Sequence, residues 1–405
     1  MASDSLSIAT LATGAEPSVH PECNLDHDDS KGFLQGTHRA HHPGHLLKSL
    51  EGELGKYGIT RVARITGLDR IGVEVFAVIR PNAKGLSVAQ GKGCTREAAE
   101  LSGVMEAIEL WHAENPMAPL LFGARDRVPN AMDPSALDGF LGRPLGAASI
   151  FWCEGTDLAT KEPVAVPFDL VHTCFTDDAQ VRGTKFPVST NGLASGGTRT
   201  EALIHGVCEI VERHDTATLA RVAPEVRAAR IIDLQSVQDP SAQRLLEQFR
   251  DAEIAVRVWN ATGETGIATC VAAIADSRNT SIPPGFGAGC HASRSVALCR
   301  ALTEAAQARL TRISGARDDL KSGQFGTAEG IRARWLTEPV QGDKTSFADL
   351  PDLATDSLDQ DLDLLVAAVS GAGHRPVVAV DLSDDPRFSV VRVIAPGLLG
   401  YEVAQ

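Results

Sequence analysis

Four glutamates in this chain have the type and spacing to hold a divalent cation. Glu106 with Glu109, and Glu209 with Glu212, each stand three residues apart. On an α-helix, positions i and i+3 share a face, about 5–6 Å apart at Cβ. The apolar neighbours Val104 and Ile108, and Val207, Ile210 and Val211, draw both helices into a core. Four carboxylates converging in a partly buried place repel one another unless protons or cations neutralise them. Oxygen donors without sulfur or imidazole favour Mg²⁺, which also keeps waters and takes phosphate oxygens. A single Glu-x-x-Glu pair is ordinarily a solvated helix face. Two pairs in register within a repeat are not.

The register comes from a threefold pattern. Aligned on Glu106, Glu209 and Glu304, all three segments carry arginine ten residues earlier (Arg96, Arg199, Arg294). All carry alanine seven earlier (Ala99, Ala202, Ala297) and a small residue three earlier (Gly103, Gly206, Ala301). The third copy ends on Gln307 where the others have Glu109 and Glu212. Glutamine there suits hydrogen bonding better than cation binding. The copies are 103 and 95 residues apart, from Glu106 to Glu209 and on to Glu304. That spacing implies related supersecondary units, not a short-period solenoid.

Each copy has a glycine-containing or short polar turn feeding a helix of about 15–20 residues. A short helix is expected over Leu46–Tyr57, followed by strands at 59–65 and 73–79. Further strand-like pieces lie at 164–168, 187–190, 255–259, 269–275, 376–382 and 390–394. The region 316–361 is polar and without periodicity. Short, hairpin-like strands interleaved with helices predict an α+β fold of mixed or antiparallel sheets, built from internal pseudo-repeats. Residues 1–30 are polar and aperiodic, a flexible tail by expectation, and 31–405 are expected to form one structural unit.

At 405 residues the chain is long enough for a large enzyme. Its net charge of −14 excludes a basic nucleic-acid surface. It does not exclude nucleotide, because bound Mg²⁺ reverses the local sign. No apolar run approaches a membrane span and no secretory pattern opens the chain, so a cytoplasmic protein is expected. The eight cysteines lack any Cys-x-x-Cys pair and are expected as buried free thiols. His20, Cys23 and His27, and the group His38, His41, His42 and His45, lack the second cluster that a zinc site needs. The Gly85-to-Gly93 stretch has one residue too many for a P-loop and lacks its Ser/Thr, and no Gly-x-Gly-x-x-Gly opens a βαβ unit.

Several motifs resemble the YcaO family. They are Gly91-Lys92-Gly93 with Ser102-x3-Glu106-x2-Glu109; Ser189-Thr190-Asn191-Gly192-Leu193-Ala194-Ser195-Gly196 running to Glu209-x2-Glu212-Arg213; and Arg300-Ala301-Leu302-Thr303-Glu304-x2-Gln307. Gly36-Thr37-His38-Arg39, Gly58-Ile59-Thr60-Arg61, Thr66-Gly67-Leu68-Asp69 and Val393-Ile394-Ala395-Pro396-Gly397-Leu398 extend the match over about residues 31 to 398. The pattern departs at Leu110, where arginine is frequent, and at Gly197, where asparagine is common.

The resemblance implies an ATP cavity and ATP- and Mg²⁺-dependent chemistry on a peptide backbone amide. A nucleophile attacks the amide carbon and the amide oxygen is phosphorylated. It implies Glu106, Glu109, Glu209 and Glu212 as magnesium ligands. It implies Ser102, Glu201, Arg213, Glu304 and Gln307 as nucleotide contacts, with Lys31 and Arg39 near the phosphates. Gly36-Thr37-His38-Arg39 and Val171-His172-Thr173 resemble the stand-alone, TfuA-associated group, whose product is a thioamide. Azoline formation from Cys, Ser or Thr, or a non-catalytic accessory role, are the alternatives. The expected partners are a peptide or protein substrate, a TfuA-like protein with a sulfur donor, and a second copy in a homodimer.

Overall fold

The chain repeats one local plan: antiparallel strands, a short cap, and a long helix that returns over the last strand. The computed structural model describes residues 30–137, 148–174, 186, 189–276, 278–279, 282–315, 335–336 and 344–400. A short helix α1 (Pro43–Ser49) precedes the first unit, a meander of β1 (Arg61–Arg64), β2 (Glu74–Ile79) and β3 (Val88–Gly93) with α2 (Arg96–Glu114). The third unit matches it, with β9 (Ile254–Asn260), β10 (Thr269–Asp276) and β11 (Gly285–Cys290) followed by α6 (Arg294–Ser314).

The middle unit is larger. Strands β4 (Leu120–Ala124), β5 (Ser149–Asp157), β6 (Pro163–Pro167) and β7 (Leu193–Gly196) lead into α3 (Arg199–Arg221). The C-terminal hairpin β13 (Val378–Asp381) and β14 (Ser389–Ile394) inserts between β5 and β7, giving the order β4-β5-β13-β14-β7 with β6 on β5. Connecting elements are α4 (Pro224–Ala228), α5 (Pro240–Asp251), α7 (Leu358–Gly371), and the parallel pair β8 (Ile232–Asp233) with β12 (Thr345–Ser346). The α+β class and antiparallel sheets agree with the sequence reading.

The repeated residues now have reasons. Each arginine is the first helical residue, and Thr95 and Thr198 cap α2 and α3 by accepting the N–H of Ala98 and Glu201. Alanine and the small residue that follows it let helix and strand touch. A Cβ on Gly91 of β3 would stand 2.0 Å from Gly103 N and 2.1 Å from Ala99 O. In β11 a Cβ on Gly287 would meet Ala301 O and Ala305 N, both at 2.3 Å. The helix stripe that packs on the strand continues into the glutamates, so close packing also aims them. Gly91→Ala should therefore destabilise by about 3 kcal/mol or more through backbone displacement, read from denaturant midpoints. An unchanged midpoint would mean that the helix is not held at this distance.

Four expectations need correction. The sequence reading places no strand directly before the first and third helices, where β3 and β11 lead into the short turns; glycine, a poor strand former, is there to admit a helix. Leu46–Tyr57 is not one helix: α1 ends at Ser49, Gly52 has φ 82°, and a 3₁₀ turn covers Leu54–Tyr57. Ser189 and Thr190 precede β7 without belonging to a strand, and residues 187 and 188 lie outside those described. Inside the polar 316–361 region, β12 forms and α7 begins, while residues 316–334 and 337–343 are also outside. So are nearly all of the expected tail and the group His20, Cys23 and His27. No helix among the described residues is long and apolar enough to cross a membrane.

Candidate functional site

Helices α2, α3 and α6 border one cavity of about 1100 Å³, and Glu106, Glu109, Glu209, Glu212, Glu304 and Gln307 all line it. The two Glu-x-x-Glu pairs thus converge, as their register predicts. Ser195 of β7 donates its hydroxyl to Glu109 Oε1 at 2.6 Å. The Cys290 N–H, at the end of β11, donates to Glu212 Oε2 at 3.0 Å. Arg213 Nη2 donates to Glu209 Oε1 at 3.3 Å, one helical turn away.

Burial pushes the Glu109 carboxyl up to about 8; the Ser195 hydrogen bond opposes this, while the charges of Glu106 and Glu209 add to it. Burial, reinforced by Glu304, raises Glu212 to about 7. Glu209 is also raised, because burial outweighs the attraction of Arg213. Glu304 goes the other way. Burial opposes its ionisation, yet its ion pair with Lys92, helped by Arg300 and Arg213, holds it below the usual range.

The remaining expected residues divide. Ser102, Arg213 and Arg39 line the cavity. Gln307 borders it too and donates from Nε2 to the Gln90 carbonyl at 2.7 Å, which ties α6 to β3. Glu201 is at the wall but its oxygens are occupied: the Ala40 N–H at 2.7 Å, the Gly197 N–H at 3.0 Å and Arg39 Nη1 at 3.1 Å all donate to it. Its role in this geometry is to hold Arg39 in place. Lys31 is not among the lining residues. Its side chain is buried, donating to the Thr355 carbonyl and pairing with Asp361 at 2.6 Å. The repeated Arg96, Arg199 and Arg294 also lie off the cavity.

Among the lining residues that the sequence reading did not name as site residues are Lys92, His205 and Arg300. Arg300 Nη2 donates to His205 Nε2 at 2.9 Å. Burial, followed by the charges of Arg300 and Arg39, lowers the His205 pKa well below its usual value, so the ring is neutral. Lys92 and Arg300 both fell inside quoted motifs. The usable signal for Arg300 was its position one turn before Glu304, on the same helix face.

Hard oxygen donors lie on one set of helices, with Lys92, Arg213 and Arg300 beside them. Three carboxyls whose pKa values are raised without a cation are what a divalent-metal site looks like before metal neutralises it. The residues present therefore fit Mg²⁺ together with a phosphate chain. A second set of ligand-type atoms, on His214, Glu264 and His374, lies within 4.8 Å of one another. There His214 Nδ1 accepts the Leu399 N–H at 3.0 Å. In the neutral ring the proton is then on Nε2, facing Glu264 Oε1 at 3.5 Å. That leaves no lone pair for a cation.

The chain resembles known proteins along most of its length. Residues 90–399 match a family model described as YcaO cyclodehydratase, ATP- and Mg²⁺-binding. An uncharacterized protein of Methanothermobacter thermautotrophicus is 35% identical over 372 residues, covering 89% of this chain and 95% of that one. An uncharacterized protein in the tfuA 3′ region of Rhizobium leguminosarum bv. trifolii is 32% identical over 388 residues, covering 91% and 90%. The structure of YcaO from Methanopyrus kandleri bound with AMPPCP and Mg²⁺ superposes with a TM-score of 0.73 at 26% identity, covering 92% and 95%. A heterocyclase in complex with substrate and cofactor gives a TM-score of 0.76 at 20% identity; it shares the fold over 92% of this chain and 54% of its own length. The cavity, its carboxylates and these matches together place the chain in the YcaO family, whose cofactors are ATP and Mg²⁺.

Proposed function

We propose that this chain is a cytoplasmic enzyme that activates a peptide backbone amide by phosphorylating its oxygen at the expense of ATP, and that its product is a thioamide. The observation that carries the reading is the convergence of Glu106, Glu109, Glu209 and Glu212 with Lys92, Arg213 and Arg300 on one cavity. An amide is a poor electrophile and its oxygen a poor leaving group. Attack by sulfide at the carbon, transfer of the γ-phosphoryl group to the oxygen, and loss of phosphate leave sulfur in place of oxygen.

In this reading Glu106, Glu109, Glu209 and Glu212 hold magnesium, which when bound supplies charge neutralisation in phosphoryl transfer. Arg213 and Arg300 stabilise the phosphate oxygens, with Lys92 beside them and Arg39 fixed by Glu201. Ser102 and Gln307 contact the nucleotide. The cavity is at the upper end of small-molecule sites, roughly 300–1,000 Å³, which leaves space for a peptide segment beside nucleotide.

Support for the thioamide comes from the relative in a tfuA 3′ region and from the Gly36-Thr37-His38-Arg39 and Val171-His172-Thr173 motifs. The partners proposed with it are a TfuA-like protein and a sulfur donor, with the chain acting as a homodimer of one catalytic unit per copy. The heterocyclase likeness favours azoline formation as the second reading. Mass spectrometry of candidate peptides after incubation with ATP, Mg²⁺ and sulfide separates the two. Exchange of oxygen for sulfur adds about 16 Da, whereas attack by a neighbouring side chain with loss of water removes about 18 Da. The thioamide reading predicts the gain; a loss of mass without sulfide would replace it with azoline formation. Absence of peptide-stimulated ATP turnover would leave an accessory role.

A further inference from the structure

The cavity does not end at the carboxylates. Its lining continues along β11 through Phe286 and Ala288, with Val271 of β10, Trp335, and Thr216 of α3. Strand β11 is the edge of its sheet, which runs β11-β10-β9. Two hydrogen bonds fix which of its backbone groups point outward. The His291 N–H donates inward to the Ala268 carbonyl at 3.1 Å, whereas the Cys290 N–H donates away from the sheet to Glu212 Oε2 at 3.0 Å. Inward and outward residues alternate along an antiparallel strand. Phe286 and Ala288 therefore turn their N–H and C=O groups outward, as Cys290 does. These four groups have no hydrogen-bond partner among the described residues.

Other strand edges are closed or occupied. Beyond β9, Ile231 bridges Trp259 and the Asn260 N–H donates to the Arg230 carbonyl at 2.8 Å. On β3 the Gln90 carbonyl is held by Gln307 of α6.

The side chains give the β11 edge its character. Gly285, Gly287 and Gly289 face α6, whose backbone a Cβ on any of them would strike. Phe286 and Ala288 face the other way, with Val271 directly opposite Ala288 in register. They pack in one apolar cluster with Val271 and the buried Trp335. Helix α3 lies beside β11, and its Thr216 follows Glu212 by one turn. The Thr216 hydroxyl is buried without a partner among the described residues, and such a group calls for one.

We propose that this open edge is the docking strand for the peptide substrate: an extended segment adds to the third sheet beside Phe286 and Ala288, with an apolar side chain against Phe286, Val271 and Trp335. The inference rests on the reading that the substrate is a peptide. Strand addition supplies main-chain hydrogen bonds for affinity and a side-chain pocket for selection. It also aims the reacting amide. A strand advances about 3.3 Å per residue, so the residue paired with Ala288 lies roughly 7 Å from the level of Cys290, whose N–H holds Glu212. An amide one or two residues farther along the added strand then comes beside the carboxylates. Thr216 offers that strand a hydroxyl from the α3 side.

A library of short random peptides is selected for binding to the full chain in the presence of Mg²⁺ and a non-hydrolysable ATP analogue. The expected result is enrichment of a large apolar residue at one position. A benzophenone photo-crosslinker placed there should attach to the stretch carrying Phe286 and Ala288, located by mass spectrometry. N-methylation of the selected peptide, one amide at a time, should weaken binding roughly tenfold at every second amide and little between them, because alternate N–H groups face the neighbouring strand. This scan leaves the protein unaltered. Ala288→Pro removes an outward N–H that β10 does not use and should weaken the same peptide by a similar factor. Enrichment of no peptide would overturn the peptide reading and this inference with it. Crosslinking elsewhere, methylation without alternation, or undiminished affinity for Ala288→Pro would overturn docking on β11 and leave the peptide reading standing.

Discussion

Replacing Glu209 by glutamine should lower ATP turnover by roughly 10³-fold, at the upper end of what loss of one positioned electrostatic group costs. The change keeps the shape of the side chain and removes its charge. Burial already raises the Glu209 pKa, so a neutral amide fits the empty site at little cost. Thermal stability without ligand should hold or rise, since one member of a repelling set is gone. Glu201→Gln is the contrast. Its carboxylate accepts two backbone N–H groups and Arg39, and an amide NH₂ turned toward those donors should destabilise the fold. Turnover of Glu209→Gln measured across magnesium concentrations tests the ligand role. Wild-type rates at limiting magnesium would falsify it.

The second large effect is on protons. Unfolded glutamates ionise near 4.3, whereas folding lifts Glu109 to about 8 and Glu212 to about 7. Between those values the folded chain binds more protons than the unfolded one, so stability falls as pH rises. The metal-free protein should therefore lose melting temperature steadily from about pH 5 to about pH 8. Ligation requires ionised carboxylates, so binding of Mg²⁺ with ATP at pH 6 should release between roughly one and two protons. Calorimetry in two buffers of different ionisation enthalpy counts them. A heat of binding that is the same in both buffers would show that the carboxyls are already ionised.

What the sequence disclosed and what it hid follow from how local each signal is. The Glu pairs, their helices and the threefold alignment are local patterns, readable because helical period and apolar neighbours sit in one stretch. Strand β3 (Val88–Gly93) and strand β11 (Gly285–Cys290) are missing from the sequence reading because their glycines answer to a helix that follows later in the chain. The insertion of β13 and β14 beside β7 joins residues some 200 apart in sequence, as in the pair Ser195 and Val390, and no periodicity announces that. At the site, the acidic half was legible. Its basic half was only partly so: Lys92 and Arg300 are single cations among many, and only the fold shows them beside the carboxylates. Lys31 illustrates the reverse. A lysine that the resemblance places near the phosphates is spent on Asp361.

The central claim is that four carboxylates from two repeated helices accept nucleotide and magnesium as a unit. The most direct test is the melting temperature of the full chain with ATP and Mg²⁺, with ATP and EDTA, and with Mg²⁺ alone. Ligand that binds only the folded state stabilises it by about 2.7 kcal/mol at a hundred times its Kd, a rise of several degrees for a chain of this size. The account predicts that rise with ATP and Mg²⁺ together and little from either alone. Equal stabilisation by ATP with and without the metal would contradict it.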